Sequence, residues 1–177
     1  AEVRALAKEF VDKMVEEGPE CDFVRDVALL LPLRVIVSIL GLPREAEPTM
    51  LKLTQEMFGG QDPSLQRGAD PTAGLGVIQD FTDYFTEVIA ERKRAPSDDL
   101  ASVLANAVVD GEPMETLDQM SYFIITASAG HDTTSAAIGG GMKALIEHPE
   151  QLALWRDRPD LDDRAARELI RWVSPVR

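Results

Sequence analysis

The sequence predicts a mainly α-helical protein, and three observations carry that reading. Apolar residues recur at helical spacing along most of the 177 residues, with no convincing strand alternation. Proline and glycine stand at the ends of these periodic segments. Between Asp118 and Lys143 the chain is built for burial, with Asp132 its only formal charge.

Taken in order, Val3, Leu6, Phe10 and Met14 form one amphipathic stripe closed by Gly18-Pro19. Val27–Leu40 is a strongly apolar second helix, with Pro32 near its start and Gly41 after its end. A third runs from Pro43 to Phe58. The stretch Gly59–Gly76 holds five Gly and two Pro and reads as a mobile loop or helix break. Val77–Arg94 resumes a helix, with Arg92-Lys93-Arg94 suited to its C-terminal dipole. Ser97-Asp98-Asp99 caps a shorter helix to about Val108, and Val109–Pro113 is a turn. From Met114 to Glu147 the pattern predicts one long buried helix, roughly 50 Å at ~1.5 Å per residue. Pro149–Arg156 and Asp160–Val173 complete the set as a single helical unit.

Composition excludes several functions. The 45% hydrophobic content is that of a globular protein, and the net charge of −13 disfavours nucleic acid and anionic membrane. A membrane span within 114–147 conflicts with the central His131-Asp132 and the diluting Gly139-Gly140-Gly141. The lone Cys21 excludes an internal disulfide and a cysteine-based zinc cluster, and a reducing cytoplasm is the simplest compartment. The chain opens on Ala1-Glu2-Val3-Arg4, inside a helical pattern and without Met, and reads as cut from something longer.

Two short segments carry chemistry. In Ala129-Gly130-His131-Asp132-Thr133-Thr134, Gly130 removes a side chain and Ala129 and Thr133 share a helix face. The product would be a small-residue notch edged by a hydroxyl and a carboxylate, suited to proton delivery. A close helix-packing site with Asp132 paired to a buried Arg is equally open to these residues. Glu168-Leu169-Ile170-Arg171 pairs an acid and a base three positions apart, a common surface arrangement. A metal site on His131-Asp132 would need further histidines, and the chain has only His131 and His148.

Together the segments resemble a bacterial cytochrome P450. Ala129–Thr134 is followed some 35 residues later by Glu168-Leu169-Ile170-Arg171-Trp172 and Ser174-Pro175-Val176. His148-Pro149-Glu150-Gln151-Leu152 and Leu31-Pro32-Leu33-Arg34-Val35-Ile36 … Leu40-Gly41-Leu42-Pro43 are also similar to that family. Leu53–Gly59 and Asp98–Asn106 resemble its terpenoid, terpineol-type hydroxylases.

The resemblance implies the central helical portion of a haem-thiolate monooxygenase, one incomplete domain over 1–177. Its long helix would cross the distal face of haem b. Ala129 and Gly130 would widen a groove for dioxygen, Thr133 would supply its hydroxyl, and Asp132 would pass protons inward. Ile125, Ser128 and Val176 would line the pocket for a small apolar substrate. Glu168 and Arg171 would form a buried structural ion pair, and Gly59–Gly76 would belong to a mobile lid. Electrons would come from a ferredoxin and a ferredoxin reductase. The family's thiolate ligand lies downstream of the Glu-x-x-Arg helix, and Cys21 has none of its context. The chain by itself is therefore expected to be inactive. The alternative is a non-catalytic helical interaction module that keeps these motifs for packing.

Overall fold

The computed structural model describes residues 2–58, 67 and 73–175. It is predominantly helical, and its contacts divide the chain into two compact units. The first joins Ala1–Pro32 to Asp132–Arg177; the second is Leu33–His131.

In the first unit, α1 (Glu2–Glu17) stops at Gly18, whose φ of +124° suits a residue without a Cβ. The expected second helix begins with a π-helical turn, Val24–Ala28, rather than regular α-helix. The Leu29 N–H reaches the Val24 carbonyl at 2.9 Å, five residues back. α7 (Asp132–Glu147), α8 (Pro149–Asp157), a 3-10 turn (Pro159–Leu161) and α9 (Asp162–Val173) complete this unit. A Cβ on Gly140 would lie 2.9 Å from both Val173 methyls, so this glycine lets α9 approach the α7 backbone. The Gly139–Gly141 run thus serves helix packing.

In the second unit, the end of α2 (Leu30–Ile39) is followed by Gly41 at φ +66°. The Leu42 N–H returns to Val37 and the Gly41 N–H to Ser38, two bonds that satisfy otherwise orphan carbonyls. A 3-10 turn (Arg44–Ala46) leads into α3 (Glu47–Phe58). α4 spans Ala73–Arg94, so residues 73–76, expected in the loop, form its first turn despite two glycines. The rest of the proposed loop, apart from Arg67, lies outside the described residues. Arg67 ion-pairs with Glu56 at 2.5 Å and Asp80 at 2.6 Å.

α5 (Leu100–Ala105) is capped by Asp99, whose carboxylate accepts the Ser102 N–H at 2.6 Å. The expected turn after it is framed by a two-stranded hairpin, β1 (Val108–Val109) and β2 (Glu112–Pro113). Asp110 and Gly111 both take positive φ, as a two-residue hairpin turn requires. The core is built from Leu33, Val37, Leu40, Met50, Phe81 and Phe85 with Phe123 of α6 (Thr116–Ala129). The Phe85 and Phe123 rings stack with centroids 4.9 Å apart.

The helix expected over 114–147 is therefore two helices, α6 and α7, divided at Gly130-His131. Three hydroxyls on α6 bond the carbonyl one turn back. Ser121, Thr126 and Ser128 bond the carbonyls of Leu117, Tyr122 and Ile124 at 2.8, 2.7 and 2.6 Å, drawing on acceptors that the backbone also uses. Nor is α6 buried all round, since Tyr122 and Ile125 are exposed. No helix among the described residues is long and apolar enough to cross a membrane.

Candidate functional site

The break between α6 and α7 falls inside the first motif. Gly130 caps α6 at φ −84°, ψ −12°, an ordinary right-handed conformation, with its N–H directed to the Ser128 carbonyl. Glycine is therefore not demanded here by backbone strain. A Cβ would stand 3.1 Å from Ile36 Cδ1, the end of a flexible side chain that would have to give by a few tenths of an ångström, so Gly130 eases this packing.

Asp132 and Thr133 open α7 in the first unit and are both half-buried. An acid in the first turn of a helix is favoured by the exposed N–H groups and the helix dipole. On α6, Ile125 and Ala129 are one turn apart and share an exposed face. Ser128 points the other way; it is buried, its hydroxyl held by the Ile124 carbonyl. Val176 lies outside the described residues. The expected pocket-lining set is thus divided between an open face and the core.

The second motif forms as a pair but not as a buried one. Arg171 donates to Glu168 through Nε at 2.7 Å and Nη2 at 2.5 Å, with the two side chains 66% and 58% exposed. Their mutual hydrogen bond, then their opposite charge, holds the guanidinium above its ordinary pKa; the same bond holds the carboxyl below its own. The expectation of burial is corrected for a geometric reason. α9 turns Leu169 and Val173 toward the glycines of α7, which leaves Glu168 and Arg171 to its outer face.

A groove of about 450 Å³ does exist in the first unit, away from the first motif. Leu145, Leu154, Trp155, Leu161 and Trp172 give it an apolar lining, and the His148 ring meets the Trp172 edge at 6.1 Å.

A part-buried ion pair that joins three segments is one that sequence reasoning missed. Arg92 donates from Nε to Asp99 at 2.9 Å and from Nη2 to the Gly41 carbonyl at 2.7 Å. Their side chains are only 12% and 9% exposed. Burial pushes the Asp99 pKa up, but bonds from the Ser97 hydroxyl and from Ser102, with the Arg92 charge, outweigh it and hold the carboxyl below its usual range. The visible signals were the Ser97-Asp98-Asp99 cap and Gly41; nothing in their spacing connects them.

Among the described residues no group of three or more His, Cys, Asp or Glu could hold a metal ion. His131 is fully buried, with Nδ1 3.0 Å from Thr54 Oγ1.

No protein-family model matches the chain. Individual proteins do. It is 39% identical to cytochrome P450-terp of Pseudomonas sp. over 183 aligned residues, covering 99% of this chain and 43% of that protein. It is 35% identical to a steroid C26-monooxygenase of Rhodococcus jostii, covering 98% and 36%. Among solved structures, CYP108D1 of Novosphingobium aromaticivorans superposes with a TM-score of 0.83 at 46% identity, over 99% of this chain and 41% of that one. The chain spans about two fifths of the length of these relatives.

Proposed function

As a member of the bacterial cytochrome P450 family, the chain is, we propose, the central part of a haem-dependent monooxygenase. The parent protein would insert one atom of dioxygen into a small apolar, terpenoid substrate. The observation that carries this reading is co-linear similarity: both motifs sit inside an alignment covering 99% of the chain. A P450-terp name and relatives named for steroid and methyl-branched lipid oxidation favour an apolar substrate.

The described residues do not fit thiolate haem ligation: the one cysteine, Cys21, is exposed beside acidic Glu20 and Asp22, which disfavour a thiolate. The chain by itself is accordingly inactive in this reading, one incomplete domain over 1–177, with haem b and its thiolate supplied by the parent. What its own residues contribute is proton handling: Asp132 carries a proton inward on its carboxyl and Thr133 holds one at its hydroxyl. Ile125 and Ala129 supply the exposed α6 face toward substrate with Gly130 at its end, Ser128 backs that face from the core, and Val176 keeps the substrate-contact role that the family resemblance implies. Glu168 and Arg171 support the haem-binding core. A cytoplasmic ferredoxin and its reductase deliver electrons.

The test uses the full-length parent and its Thr133→Ala and Asp132→Asn variants. The parent gives a thiolate-type carbon monoxide difference band; the 177-residue chain with added haem gives none. Thr133→Ala keeps the band but diverts most consumed dioxygen to peroxide. Asp132→Asn slows turnover by about 10²-fold or more. A parent without the band, or one that binds a protein partner and shows no oxygen chemistry, overturns the reading.

A further inference from the structure

One titratable group is buried at the first motif and has no part in the proton handling above. His131 stands between Gly130 and Asp132, is fully buried, and its ring reaches a second fully buried polar side chain, Thr54 of α3, 77 positions away. An apolar side chain would fill such a place without the cost of burying an imidazole. The polar pair therefore has something to hold.

The direction of the bond follows from proton counting. Thr54 Oγ1 lies 2.9 Å from the Met50 carbonyl and 3.0 Å from the Leu51 carbonyl, neither of which can donate. The single hydroxyl proton must go to them, or three acceptors would crowd one oxygen. Thr54 is then the acceptor toward His131, and Nδ1 is the protonated nitrogen. The main chain of His131 is tied as well, its N–H donating to the Ser128 carbonyl at 3.2 Å. Backbone and ring are both held at the residue where the chain leaves the second unit.

We propose that His131 is a positioning residue: its Nδ1–H bond to Thr54 holds the residue whose carbonyl starts α7, and so steadies the first turn that carries Asp132 and Thr133. The functional half of this inference rests on the monooxygenase reading; the geometric half does not. In helix geometry the Ser135 and Ala136 amides bond the carbonyls of His131 and Asp132, so their hydrogen exchange reports how firmly α7 starts.

The experiment labels the full-length parent with ¹⁵N-histidine and identifies the His131 signals by their loss in His131→Gln. Nδ1 is expected to carry a directly bonded proton; a bare Nδ1 overturns the proposal. Thr54→Val should raise exchange at Ser135 and Ala136 by about tenfold, while Thr54→Ser stays within about twofold of wild type. Phe123, in the core of the second unit, serves as the control amide. Equal loosening at Phe123, unchanged exchange in Thr54→Val, or a Thr54→Ser variant that fails like Thr54→Val overturns it. Should Thr54→Val not fold, the Nδ1 proton and the Thr54→Ser exchange decide the matter between them. A parent lacking the carbon monoxide band would sink the monooxygenase reading while leaving the Nδ1 result intact.

Discussion

Two arginine–carboxylate pairs, one in each unit, differ in everything except their chemistry. Arg171 and Glu168 sit three residues apart on one helix face, in plain view of solvent. Arg92 and Asp99 come from the end of α4 and the cap of α5, and Arg92 also donates to the Gly41 carbonyl that follows α2. The local pair forms because helix geometry makes it nearly automatic. The second forms only after three segments have packed, and it then satisfies a helix cap, a carbonyl and a buried charge at once. The distinction is one of consequence: water would replace what the first pair provides, but can replace the more enclosed second pair only in part.

The largest expected effect breaks the part-buried pair. Asp99→Ala should destabilise the second unit by about 1–3 kcal/mol, since it removes the α5 cap and a charge-assisted bond to the part-buried Arg92, which keeps only Glu91 at 3.2 Å and the Gly41 carbonyl. Urea unfolding can read this selectively. Both tyrosines, Tyr84 and Tyr122, lie in the second unit and both tryptophans, Trp155 and Trp172, in the first. The tyrosine midpoint should fall; an unchanged one would refute the assignment.

Gly41→Ala comes next. A Cβ there would overlap Asp99 Oδ2 at 2.2 Å, and φ is +66°. The left-handed conformation alone costs about 1–2 kcal/mol with a side chain. In an Asp99→Ala background the substitution should cost less, because the carboxylate part of the overlap is gone while the Cβ at position 99 stays close, and that non-additivity is measurable in a double-mutant cycle.

A smaller effect appears in acid. Asp99 titrates below its usual value in the folded chain, so its stabilisation is complete above the unfolded-state pKa of about 3.9. It is lost as pH falls from there through the folded value. Asp99→Asn should flatten that acid limb in the tyrosine signal. Glu168 is also held low, but as an exposed group. Glu168→Gln is accordingly expected to leave the tryptophan midpoint at neutral pH where it was; a clear drop would mean the exposed pair carries weight in this chain.

The same contrast explains what could be read in advance. Helices appeared wherever local spacing governs them: α1, α3, the body of α4, α8 and α9 follow their apolar stripes and Pro or Gly stops. Asp110-Gly111 was readable as a turn, but strands of two residues are too short to show alternation. Residues 73–76 were misread because two glycines weaken a helix locally, while Val77 and Phe81 anchor it in the core. Nor was it legible that Gly130 packs against Ile36 Cδ1, from 94 positions earlier. His131 offered no signal either, since its partner is a threonine on another helix.

By itself, then, the sequence determined the helical class, the helix ends set by caps and prolines, and the two motifs whose order belongs to the cytochrome P450 family. Class and helix ends are short-range properties, carried by residues within a turn or two of one another, and the motif order is read directly along the chain. Only the tertiary structure decided where the long helix divides, that Arg92–Asp99 is part-buried while Glu168–Arg171 is exposed, and that His131 is tied to Thr54. Those outcomes depend on which distant atoms meet once solvent is excluded, and sequence spacing carries no record of that.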